Sequence, residues 1–171
     1  MDRDGYWSIV DSQRAAVGSD DECFLEALGA VLLTLPREEL ISFDSIQEEL
    51  FAEAYHRSLW AAAYIINGGC SDDGFAYFRA WLVAQGRRVF ERALEDPTTL
   101  EEAIVLDSGW DAELEEFMNV PHAAFLEQFG EEMPDRPHTQ AVLIGPEWDE
   151  DSVDELFPAL AAKAEVRFSR G

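Results

Sequence analysis

The residues best placed to do chemistry gather about one turn. The run Gly68-Gly69-Cys70-Ser71-Asp72-Asp73-Gly74 sets a thiol, a hydroxyl and two carboxylates beside a pair of glycines. Upstream, His56, Trp60 and Tyr64 recur every four residues, which a helix carries on one face. Downstream, Asp72 and Arg79 are seven apart and Asp73 and Tyr77 four apart, so a helix there aligns each pair. His56, Trp60, Tyr64, Asp72, Asp73, Tyr77 and Arg79 are therefore the candidate ligand-binding residues. Carboxylates and aromatic faces both favour positive charge, so the ligand they suit is a cationic or polar small molecule. The same residues have a purely structural use: aspartates at a helix start, Arg79 in an internal ion pair, and the rings in the core.

Other chemistries fit less well. Glycines ahead of a helix turn backbone N–H groups toward an anion, but Asp72 and Asp73 occupy that end, and no lysine follows at phosphate-loop spacing. A helix N-terminus makes a thiol more acidic, which would favour a reactive Cys70, while the two aspartates act the other way. His56 is a base for Cys70 only if the fold brings them together. The histidines His56, His122 and His138 offer no pair at ligand spacing, so neither a metal nor a cofactor is expected. The run Glu147-Trp148-Asp149-Glu150-Asp151 reads as a solvated stretch ahead of a helix. No nucleophile elbow is present, and no catalytic residue is assigned.

Helices must position these side chains. Asp4 is expected to cap a first helix ending at Gly18, and Asp20 or Asp21 a second carrying Phe24, Leu25, Leu28 and Leu32. Pro36 opens a long stretch from Glu38 to Asn67, whose length predicts two helices with a break near Arg57-Ser58. Gly68-Gly69 stops it, and Ser71 caps the next helix, with Phe75, Phe78 and Leu82 on one stripe bordered by Trp81. Val89, Phe90, Ala93 and Leu94 continue to the stop at Asp96-Pro97, and Thr99 with Glu102 has capping-box spacing. Beyond Ile104 the pattern predicts a turn at Ser108-Gly109 and short helices over 111–118 and 121–129. A loop over 133–145 follows, with a short extended piece at 141–144, and then a last helix started by Asp151 or Ser152 with Pro158 inside it. The fold class is all-α, a compact multi-helix bundle. One domain spans 1–171, its core over about 4–129 and a less regular extension over about 130–171.

Composition bounds the partners. The chain has 171 residues, 36 acidic against 12 basic, for a formal charge of −24. Such a field repels phosphate backbones and anionic bilayers, so neither nucleic acid nor membrane is expected as a partner. A basic protein is the favoured partner, for instance a toxin or nuclease whose cationic active site an inhibitor or immunity-type protein covers. With 47% hydrophobic residues and 20 aromatics among 11 Phe, 5 Trp and 4 Tyr, the chain has ample material for a core. Two cysteines make no disulfide framework, and no apolar signal core or membrane-length run occurs, so the cytoplasm is the expected location.

The stretch Leu59 to Phe75 resembles the family catalogued as domain of unknown function 4240. Tyr77 to Leu82, Gln85-Gly86-Arg87, Asp96-Pro97 with Leu100, and the opening with Trp7 and Ile9 resemble it too. The likeness covers about residues 4–129. It implies a soluble bacterial protein and carries no catalytic residue with it.

Overall fold

A computed structural model describes residues 1–104, 111–135 and 141–168, and among them the backbone is helical, with no strand. The elements are α1 (Arg3–Val17), α2 (Asp21–Leu32), α3 (Arg37–Glu53), α4 (Arg57–Asn67), α5 (Asp72–Ala84), α6 (Arg87–Glu95), α7 (Glu115–Phe129) and α8 (Pro158–Phe168). Short 3₁₀ helices, Pro97–Glu102 and Glu150–Glu155, precede α7 and α8.

The caps explain most of the boundaries. Asp20 accepts a hydrogen bond from the Cys23 amide at 2.9 Å and Ser71 Oγ one from the Gly74 amide at 3.1 Å, so each satisfies a donor that the first turn leaves free. Gly68 ends α4 at φ +70°, where a side chain would be strained. The first helix is capped by Asp2 rather than Asp4, because Asp2 reaches the Gly5 amide at 2.9 Å and Asp4 lies inside the first turn. The break between α3 and α4 falls at Ala54–His56, slightly ahead of Arg57-Ser58. There the Arg57 amide leaves the helix to donate to the Ile144 carbonyl at 2.8 Å. That bond is part of a lone parallel bridge between His56 and Ile144, which is all that the extended piece at 141–144 amounts to.

Beyond Asp96 the structure departs from three expectations. The capping box at Thr99 does not form, because Asp96 takes the Thr98 amide and hydroxyl and caps the 3₁₀ helix three residues earlier. Residues 115–129 form one helix through Pro121 instead of two short ones. Pro121 removes the amide that would bond the Phe117 carbonyl, and Gln47 Nε2 of α3 donates to that carbonyl at 3.3 Å. Pro158 opens α8 rather than interrupting it, since proline suits a first helical position. The turn expected at Ser108-Gly109 lies outside the described residues, as does His138.

The core explains why α5 matters. From Ala80 to Ala84 every residue of α5 is buried, as expected of a helix apolar all round and surrounded on all sides. It packs on α3, α4, α6 and α7. Its own Phe75 and Phe78 are fully buried, as are Phe24, Phe43, Phe90, Phe117 and Phe125 on other helices, together with Tyr6 and Trp7. The segment after residue 141 packs on α4: Trp148 donates to the Arg57 carbonyl at 2.9 Å and meets the Tyr64 ring edge-on. No helix among the described residues is long and apolar enough to cross a membrane.

Candidate functional site

The seven residues singled out from the sequence separate into three environments. Trp60 and Arg79 meet at Phe75. The Trp60 ring stacks on Phe75 at 4.8 Å, and the Arg79 guanidinium lies 5.2 Å from the same ring and 4.9 Å from Tyr55. Arg79 donates to the carbonyls of Phe51 at 2.8 Å and Phe75 at 3.3 Å, which satisfies a half-buried cation without a carboxylate. The expected pairing of Arg79 with Asp72 does not occur among the described contacts. Burial holds the Arg79 pKa below its ordinary value.

His56 and Tyr64 belong instead to the contact with residues 141–155. His56 forms the bridge to Ile144, and the Tyr64 hydroxyl donates to Glu150 at 3.0 Å, a bond that raises the phenol's pKa. Asp72 and Asp73 are exposed in the first turn of α5. Tyr77 is half-buried, its pKa raised first by a hydrogen bond to Glu115. Of the seven, Tyr64 lines a cavity of about 220 Å³, and none is among the described lining of another of about 960 Å³.

Cys70 is not an activated thiol. Burial is the main cause that pushes it up to about 12, followed by the charges of Glu113 and Asp72, while Trp60 acts the other way. The Trp60 indole donates to the Cys70 carbonyl at 3.0 Å, so this part of the turn is held from α4.

The turn instead mounts the segment that follows the undescribed residues 105–110. Asn67 Oδ1 accepts from the Ala112 amide at 2.8 Å, and the Tyr77 carbonyl accepts from the Leu114 amide at 3.1 Å. Between these two anchors Glu113 runs beside the start of α5, and Gly74 leaves it room. The mount sets one wall of a cavity of about 960 Å³.

That cavity carries the most distinctive electrostatics of the described residues. Asp20, Asp21 and Glu22 at the start of α2 form one rim, and Asp111, Glu113 and Glu116 the other. Its floor is Leu25, Ile66, Trp81, Ile104 and Leu114, and no basic residue is among the described lining residues. Arg14 on α1 reaches the rim at Asp21, 2.8 Å away, and lies over Phe24 at 4.0 Å. Burial first, and the charge of Asp111 second, hold the Glu113 carboxyl above its ordinary value. A carboxylate raised in this way is one that a nearby cation would relieve.

Sequence reasoning missed this site. Its two rims lie about ninety positions apart, and each is ordinary among 36 acidic residues. The one signal available was Asp20-Asp21-Glu22, three consecutive acids where a single cap suffices. Among the described residues no group of three or more metal-ligating side chains is assembled.

A family model described as "Protein of unknown function (DUF4240)" matches residues 1–127, a span that contains the described lining of the acidic cavity. No curated protein and no solved structure matches the chain.

Proposed function

The chain belongs to the DUF4240 family of proteins of unknown function, and from that premise we propose that it is an interaction domain whose acidic cavity receives a basic partner protein. The observation that carries this reading is the cavity's composition: six carboxylates on two rims over an apolar floor, with no basic residue among its described lining. A net charge of −24 adds a long-range field that steers a cationic partner toward the domain. The local carboxylates then select the docking position, because charge complementarity gives orientation and on-rate more than raw affinity. An inhibitor or immunity-type role toward a cationic active site is one form this takes.

The test is a titration with a lysine-rich peptide at low and high salt, on two variants of equal charge. One carries Glu22→Gln, Glu113→Gln and Glu116→Gln. The other neutralises Glu49, Glu91 and Glu95, which do not line the cavity. Binding that weakens with salt, and weakens much more in the first variant, supports the proposal. Equal losses in the two variants mean that net charge alone attracts the peptide, and the cavity has no part in it.

A further inference from the structure

We infer that the segment the cavity receives is amphipathic, with an apolar side chain that seats on the floor and basic side chains on either side that meet the rims; this rests on the interaction reading above. Ile66, Trp81, Ile104 and Leu114 lie at the back of a space of about 960 Å³, and Leu25, half-buried, shows more of its surface there than any of them. That volume is at the upper end of roughly 300–1,000 Å³ for ligand sites, far more than one guanidinium or ammonium group occupies.

Glu22 stands on α2 and Glu113 on the segment mounted by the α4–α5 turn, so the negative charge lies on two different elements with apolar surface between them. A purely polar polycation would neutralise both rims but leave the half-buried Leu25 in contact with water. A purely apolar ligand would strip water from the carboxylates and offer them no counter-charge, which is costly. Only a segment that alternates the two characters answers both surfaces. A protein is the source because one chain spans both rims at once, whereas a small monocation meets one rim at a time.

The experiment compares two synthetic peptides of equal length and charge, one built of leucine and lysine as an amphipathic helix and the other of glycine and lysine. Each is titrated calorimetrically into the intact protein at low salt. The leucine–lysine peptide should bind at least about tenfold more tightly, the factor that burying one leucine side chain supplies, and with a negative heat-capacity change. Leu25 is only half-buried, so Leu25→Gln preserves the fold and should reduce the difference several-fold. Equal affinity for the two peptides overturns this inference and leaves the charge-based reading standing. Binding of neither peptide overturns both.

Discussion

Glu113 Oε1 lies 3.0 Å from the point that a β-carbon on Gly74 would occupy. The acidic wall passes over the start of α5 here, and the distance is tighter than nine in ten real β-carbon contacts, so a side chain at this position makes its neighbour give by a few tenths of an ångström. Gly74→Ala should therefore displace the carboxylate, the mobile end of a side chain, rather than the backbone. Alanine in place of a helical glycine favours the helix by about 1 kcal/mol, which offsets the crowding. Urea unfolding should show stability unchanged to within ~1 kcal/mol, while affinity for the leucine–lysine peptide falls several-fold. A parallel loss of stability and binding would mean that the turn serves the fold alone.

The persistence of α7 through Pro121 depends on a residue seventy positions upstream of Phe117. Gln47 is fully buried, and its amide nitrogen supplies the donor that Pro121 lacks. Gln47→Leu should cost about 1–2 kcal/mol, the penalty of a buried carbonyl left without a partner. In a Pro121→Ala background the helix provides its own amide, so the same change should cost much less. A double-mutant cycle measured by chemical denaturation checks this, and additive losses would contradict it.

Glu113 gives opposite signs for stability and binding. Its carboxyl is raised in the folded state above the ordinary value of 4.5, first by burial and then by Asp111. A group raised on folding contributes stability that is fully present below its unfolded pKa and is lost as pH rises through the folded value. Ionised Glu113 therefore opposes the fold at neutral pH. Glu113→Gln should be more stable than the parent near about pH 7 and should lose that advantage below about pH 4, while binding the basic peptide less well. The substitution also removes the second-largest cause of the raised Cys70 thiol, so alkylation of Cys70, in a Cys23→Ser background, should become faster at alkaline pH. An unchanged alkylation rate would place Glu113 too far from Cys70 for the geometry described.

Local rules made much of the fold legible. Ser71, Asp20, Gly18 and Gly68 declare their caps and stops because each satisfies or releases backbone groups within one turn of its own position. Pro121 misled for the same reason: within the local sequence it breaks a helix, and the residue that compensates lies on another element. The candidate site was less legible. Helical spacing placed Trp60 and Arg79 correctly on their elements, yet their shared partner Phe75 and the carbonyl of Phe51 follow from tertiary packing. The cavity's rims meet only because Asn67 and Tyr77 anchor residues 112–114, and no periodicity encodes such a contact.

The most direct test is an NMR titration of the intact, isotope-labelled protein with the leucine–lysine peptide at low salt. The methyl groups of Leu25, Ile66 and Leu114 and the indole of Trp81 should shift together and saturate, with the amides of 20–22 and 111–116 following the same curve. Shifts scattered over the acidic outer faces, with those methyl and indole signals unmoved, would contradict docking in the cavity.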